Sequence, residues 1–144
     1  VPFIINQNRY SIFDRTIESN GLKDTAARLH KGIITFSPLA QGLLTDRYLH
    51  GIPADSRVHT DGRFLKETDL TPEKLAKIRA LNEMAAARGQ TLAEMALAWL
   101  LSHEEITTVL IGASKTQQIL DNIKAVQNTS FTAEELAEID RISK

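Results

Sequence analysis

The chain has 144 residues, 42% hydrophobic and 24% charged, which supplies one core and leaves too little length for two independent domains. Its 17 Lys and Arg against 18 Asp and Glu give a formal net charge of -1, without the basic field that holds a phosphate backbone, so nucleic acid is not an expected partner. The absence of cysteine removes disulfides, thiolate nucleophiles and Cys-bound metals, and no apolar run approaches the roughly 18 residues of a membrane span; a cytoplasmic protein is expected.

The opening residues, Val1-Pro2-Phe3-Ile4-Ile5, carry neither an initiator Met nor a basic leader and begin inside an apolar extended run, so the chain is expected to be part of something longer. Phe3-Ile4-Ile5 predicts a first strand. Leu22, Ala26 and Leu29, at i, i+4 and i+7, predict a helix over 22–29, with Gly32 after His30-Lys31 as its C′ glycine. Gly32-Ile33-Ile34-Thr35-Phe36 is the second strand. A long loop follows from about Gly42 to Leu70, of a length usual for functional covers or mobile segments. Thr71 before Pro72 caps a helix whose inner face is Leu75, Ile78, Leu81 and Ala85 and which Gly89 stops. Thr91 and Glu94 form a capping box ahead of an apolar helix through Leu101. Thr107-Thr108-Val109-Leu110-Ile111 is the third strand. Ser114 with Gln117 opens a helix with Ile119, Ile123 and Val126 inward, and Thr132 with Glu135 opens a last one with Leu136, Ile139 and Ile142. Continuous apolar strands predict burial on both faces, and the alternation predicts βαβ units in a parallel sheet. Three parallel strands would leave two open edges, another sign of a larger α/β protein.

Two strand ends are candidate ligand sites. Phe36-Ser37-Pro38-Leu39-Ala40-Gln41-Gly42-Leu43-Leu44 ends a strand at proline and carries a glycine that admits close backbone approach. Its alternative reading is a plain strand-terminating turn. Ile111-Gly112-Ala113-Ser114-Lys115 joins strand to helix with free amides, the positive helix end and a cation, a combination that suits an anion, although an ordinary βα turn has the same outline. Arg57, after Gly51-Ile52-Pro53, adds a guanidinium. The four histidines, His30, His50, His59 and His103, lack metal-ligand spacing, Glu104-Glu105 reads as a solvated turn, and Trp99 as core. There is no P-loop, G-x-G-x-x-G or G-x-S-x-G.

Together, Asn6-Gln7 at a strand end, the Phe36 to Thr45 segment, Gly51-Ile52-Pro53 with Ser56-Arg57, and Val109 to Ser114 with Gln118, Asp121 and Asn122 resemble the C-terminal part of an aldo-keto reductase. The nearest groups are the bacterial L-glyceraldehyde 3-phosphate reductases and the voltage-gated potassium channel β-subunits. The resemblance runs over essentially all 144 residues. It implies a (β/α)8 TIM barrel, with this chain as the sixth to eighth strand–helix units, a cofactor-binding half, plus a C-terminal helix. Gln7 would then bond the nicotinamide carboxamide and Phe36 lie by its ring. Ser37, Pro38, Leu39, Gln41 and Gly42 would line the pyrophosphate, with Arg47 and Arg57 near the phosphates. Gly112, Ser114 and Lys115 would cradle the adenosine 2′-phosphate, and Gln118, Asp121 and Asn122 flank the adenine. The implied cofactor is NADPH and the implied partner a small aldehyde or ketone. No residue matches the family's catalytic Tyr, Lys, Asp and His, and Tyr10 and Tyr48 do not stand in for them. Asp55 stands where some relatives carry an aromatic. A non-catalytic NADPH-binding module of the channel β-subunit kind, and pairing with a second copy or with a missing N-terminal half, are the alternatives.

Overall fold

The computed structural model describes residues 3–51 and 70–144. Strand β1 (Ile5–Arg9) leads to the short helices α1 (Thr16–Ser19) and α2 (Leu22–Arg28), then to β2 (Gly32–Phe36). Two 3-10 turns follow, Ala40–Gly42 and Asp46–Tyr48. Beyond the undescribed residues come α3 (Pro72–Ala87), α4 (Leu92–Leu101), β3 (Ile106–Val109), α5 (Thr116–Ile123), a 3-10 turn at Lys124–Gln127, and α6 (Ala133–Ser143). The strands form one sheet in the order β1-β2-β3, both pairings parallel, as the alternation predicts.

Three caps hold where the sequence places them. The Thr71 hydroxyl accepts from Lys74 N at 3.1 Å. Thr91 and Glu94 exchange both bonds of a capping box, 3.2 and 3.0 Å, and Thr132 and Glu135 do the same at 3.1 and 2.8 Å. Gly89, at φ +70°, ends α3 in a left-handed cap, with its own N–H bonded to Ala86 O and that of Gln90 to Ala85 O. Helix α4 is buried on nearly every side from Leu92 to Leu100, which is why its sequence shows no polar stripe.

The first strand is displaced from its expected place. Phe3 and Ile4 are exposed, and the strand is the polar run Ile5-Asn6-Gln7-Asn8-Arg9, registered from Ile5 opposite Gly32 to Arg9 opposite Phe36. Pairing with β2 decides the boundary here; side-chain propensity does not. The C′ residue of α2 is also corrected: His30, at φ +52°, takes the left-handed position, and the bonds Lys31 N to Ala26 O and His30 N to Ala27 O close the motif. Gly32 is instead a strand glycine. A Cβ there would lie 2.4 Å from Thr107 Oγ1, beside the bulge that lets Ile33 pair with Ile106 but Ile34 with Thr108. The third strand stops at Val109, although Leu110 N still reaches Thr35 O at 2.8 Å.

Burial on both strand faces is contradicted. Ile33 and Thr35 of β2 are fully buried against the helices, alternating with Gly32, Ile34 and Phe36 on a half-exposed face. In β1 the same alternation puts Asn6 and Asn8 toward the helices and leaves Ile5, Gln7 and Arg9 exposed. The core is therefore one-sided, built from Tyr10, Ile12, Ile17, Ile33, Leu44, Ile78, Leu81, Met95, Trp99 and Ile139. The inward face expected for the helix now labelled α5 is likewise uncovered, with Ile119 43%, Ile123 56% and Val126 63% exposed.

One polar atom is out of keeping with this core. Thr35 is fully buried and its Oγ1 has no hydrogen-bond partner among the described residues. An unmet buried hydroxyl costs on the order of 1–3 kcal/mol. Thr35→Val in the full-length protein is therefore expected to raise unfolding stability by about 1 kcal/mol, read as a higher urea midpoint with unchanged slope. A lower midpoint would show that the hydroxyl has a partner.

Candidate functional site

Parallel strands all end on the same edge of a sheet, and the segments leaving β1, β2 and β3 there carry most of the residues singled out in the sequence. On the uncovered face, Gln7 is exposed and Phe36 half-exposed, one strand apart and two positions off in register. Arg9, level with Phe36, places its guanidinium carbon 5.7 Å from the Phe36 ring centre.

The turn after β2 is conformationally costly. Ser37, Ala40 and Gln41 have φ of +53°, +47° and +61°, three non-glycine residues in the left-handed region, and Gly42 follows at +93°. Side chains there cost of order 1 kcal/mol or more each and persist where their surroundings over-determine them, which is common at ligand clamps. The clamp here is visible: Ala40 N bonds Ser37 O, Leu43 N bonds Ala40 O and Leu44 N bonds Leu39 O, while Pro38, Leu43 and Leu44 are buried. Gly42 has open space where a Cβ would stand, its nearest neighbour being Tyr48 at 3.9 Å. Thr45 then locks the exit, donating to Gly42 O at 2.6 Å and accepting from Arg47 N at 3.2 Å. Arg47 is exposed on the following 3-10 turn. Arg57 and Asp55 lie outside the described residues.

After β3, residues 110–120 are exposed, Gly112 has nothing within 4 Å of a Cβ position, and Lys115 is the N-cap of α5. The expected cap pair Ser114 with Gln117 is off by one. Gln118, three residues past Lys115, reaches back and its Oε1 accepts from Ser114 N at 2.8 Å and Lys115 N at 3.2 Å. Those amides are thus not free, as the sequence suggested, but held by an exposed carboxamide. Gln117 and Lys124 both donate to Asp121, at 3.0 and 2.8 Å, which holds its carboxyl below the usual aspartate range. Asn122 lies beside it, half-exposed. The structure therefore brings Gln7 and Phe36 onto one face, and gathers the 37–42 and 112–122 segments on one edge.

Tyr10 and Tyr48 are both buried, and Tyr10 belongs to a different cluster on the helix side of the sheet. Its hydroxyl donates to Glu18 at 2.5 Å and lies 3.4 Å from His103 Nε2, while His103 Nδ1 is 2.7 Å from Trp99 O. Arg15 bonds Glu18 and Asp140 and lays its guanidinium 4.1 Å from the Trp99 ring centre. A cleft of about 360 Å³ opens beside these groups, but none of the predicted site residues lines it; Arg15 pairs there with Glu18 and Asp140, and Lys23 with Glu105. It braces the exit of β1 against α4 and α6. Arg9 is the residue that sequence reading missed at the strand edge. Its signal was its parity with Gln7, hidden because the strand was expected to stop at Ile5.

A parallel sheet with helices on one face and ligand-type turns at its C-terminal edge defines an α/β protein of the barrel or open-sheet kind. Comparison narrows this, since the model of the Aldo/keto reductase family matches residues 1–144, and the chain belongs to that family. It is 48% identical over 144 residues to the "L-glyceraldehyde 3-phosphate reductase" of Escherichia coli O157:H7, covering 98% of this chain and 42% of that protein. It is 35% identical over 125 residues to the "Probable voltage-gated potassium channel subunit beta" of Oryza sativa subsp. japonica, covering 85% of this chain and 38% of that one. Among solved structures it superimposes on an aldo-keto reductase from Bacillus halodurans in its holo form, with a TM-score of 0.73 and 27% identity, over 99% of this chain and 43% of that chain. The chain thus spans less than half the length of these relatives, and the neighbours' barrel fold is consistent with a three-stranded partial barrel.

The buried cluster makes a pH prediction. Burial, and then the Lys23 charge, push His103 below the ordinary histidine value of 6.5. Burial alone would raise the Glu18 carboxyl, but Tyr10 and Arg15 outweigh it and hold it below its ordinary 4.5. In both cases the unfolded chain binds the proton more readily, so stability falls as pH falls, first below about 6.5 through His103 and again below about 4.5 through Glu18. His103→Gln in the full-length protein is expected to flatten the first decline and leave the second, read from urea midpoints across pH. An undiminished decline below pH 6.5 would contradict this.

Proposed function

We propose that the protein carrying this chain is an NADPH-dependent aldo-keto reductase of small aldehydes such as glyceraldehyde 3-phosphate or methylglyoxal, and that this chain is its cofactor-holding half, the sixth to eighth strand–helix units of the barrel. The observation that carries the reading is the common edge on which Gln7, Phe36, the left-handed 37–42 turn and the 112–122 segment lie. An elongated dinucleotide needs a flat face for its nicotinamide, a backbone cradle for its pyrophosphate and a cationic end for a 2′-phosphate. These residues offer the three in that order.

The cofactor, when bound, supplies a hydride to the carbonyl carbon. This chain's residues hold and orient. Phe36 gives the nicotinamide an apolar ring and Gln7 a carboxamide to pair with its own. Ser37, Pro38, Leu39, Gln41 and Gly42 present backbone to the pyrophosphate, fixed in advance by the clamp around Leu44, so little ordering cost falls on binding. Arg47 would contribute charge near the phosphates, and Arg57, outside the described residues, is assigned the same role. Gly112, Ser114 and Lys115 would hold the 2′-phosphate, and Gln118, Asp121 and Asn122 would flank the adenine. The proton donor for the developing alkoxide belongs to residues outside this chain. The uncovered faces of the sheet and of α5 support the same reading, because packing against further barrel units would bury Ile5, Ile119, Ile123 and Val126.

A fluorescence titration of the full-length protein tests it. NADPH is expected to bind more tightly than NADH, and Lys115→Ala to weaken NADPH about tenfold, the value of a charged hydrogen bond of roughly 1.5 kcal/mol, with NADH changed less than twofold. No dinucleotide binding, or equal loss for both, would refute the assignment.

A further inference from the structure

We propose that Arg9 is the specificity residue of this site, anchoring a terminal anionic group on the aldehyde substrate; the proposal rests on the reductase reading above. Arg9 ends β1 at the sheet edge where ligands of parallel α/β folds bind. Its strand parity puts it on the same uncovered face as Gln7 and Phe36, and its backbone is level with Phe36 in the register. It stands two residues past Gln7, about 6.6 Å further along the strand.

Two features suit it to an anion. Its guanidinium carbon lies 5.7 Å from the Phe36 ring centre, within cation–π range, and the planar guanidinium carries N–H donors that can fork onto a phosphate or carboxylate. Among the described residues no carboxylate pairs with it, whereas Arg15, Arg88 and Arg141 each hold a glutamate. Arg15 and Arg88 brace the fold through those pairs, whereas Arg9 is exposed on the ligand-side face of the sheet. With Phe36 and Gln7 assigned to the nicotinamide, Arg9 is the cationic neighbour of both on the same face, so an anion at the far end of a short aldehyde would meet its fork. Phosphate and carboxylate share this chemistry.

The test uses the full-length protein and compares kcat/KM for glyceraldehyde 3-phosphate, succinate semialdehyde and uncharged glyceraldehyde. Arg9→Met is expected to lower the ratio of anionic to uncharged aldehyde at least tenfold, and Arg9→Lys to restore part of it. The larger loss between phosphate and carboxylate substrates identifies the anion. A ratio changed less than twofold for both anions overturns the proposal. A separate calorimetric arm titrates glycerol 3-phosphate, which cannot be reduced, into wild type and Arg9→Met, expecting at least tenfold weaker binding to the variant. If no aldehyde is reduced by wild type, the reductase reading fails while this arm still decides Arg9; equal affinity of the two proteins there overturns it. Matching unfolding midpoints for wild type and both variants confirm that the fold is intact.

Discussion

The proposed site of this chain depends on the pairing of β2 with a parallel strand on each side. Parallel pairing forces the three strand exits to one edge, and the alternation of side chains along β2 decides which face each residue takes. Ile33 and Thr35 are buried under the helices, so Phe36 must point away from them. Because Arg9 is registered with Phe36 and Gln7 shares its parity, one set of backbone bonds fixes this whole row of side chains. A slip of one residue in β1 would exchange Gln7 and Arg9 for Asn6 and Asn8 and erase it.

The helix layer holds that register. Trp99 is almost fully buried, with Tyr10 at 5.2 Å and His103 at 4.4 Å between ring centres and Arg15 stacked on it. Tyr10 directly follows β1 and Arg15 directly precedes α1, so the cluster pins the segment leaving β1 to α4 and, through Asp140, to α6. A second tie runs from the end of α3, where Arg88 pairs with Glu135 and covers Phe131 at 3.8 Å. Both ties are largely shielded on the arginine side, which is where ion pairs hold best against solvent screening. The strained turn at 37–42 is tolerable only because Pro38, Leu43, Leu44 and Tyr48 are anchored in the same core.

Legibility in the sequence followed locality. Helix starts were readable because a cap is complete within four residues: Thr71, Thr91 and Thr132 all perform as their neighbours require. Gly89 was readable for the same reason. What depended on distant partners was not. The polar strand Ile5–Arg9 exists because β2 lies beside it, and no local pattern marks Asn-Gln-Asn-Arg as a strand. His30 occupies the left-handed cap that glycine usually fills, and the lone nearby glycine drew the expectation to Gly32, whose actual constraint is the approach of Thr107. The two-sided burial expected of the strands and the inward face expected of α5 share one cause. Ile5, Ile119, Ile123 and Val126 meet no covering layer among the described residues, so the apolar pattern was legible but what lies against it was not. Of the proposed site, the position of the turns at Phe36–Gly42 and Gly112–Lys115 after strands was legible from their small and proline-containing composition. The Gln118 carboxamide on the Ser114 and Lys115 amides, and the place of Arg9 over Phe36, needed coordinates.

In the proposed function the C-terminal edge of the sheet, and not the mixed-charge cleft on the helix side, receives the dinucleotide. Amide hydrogen exchange of the full-length protein with and without NADPH measures this most directly. Slower exchange on NADPH addition is expected across residues 37–45 and 112–122, with the amides around Arg15, Glu18 and His103 unchanged. Slowing confined to the Arg15, Glu18 and His103 region, with the two edge segments unaffected, would contradict it.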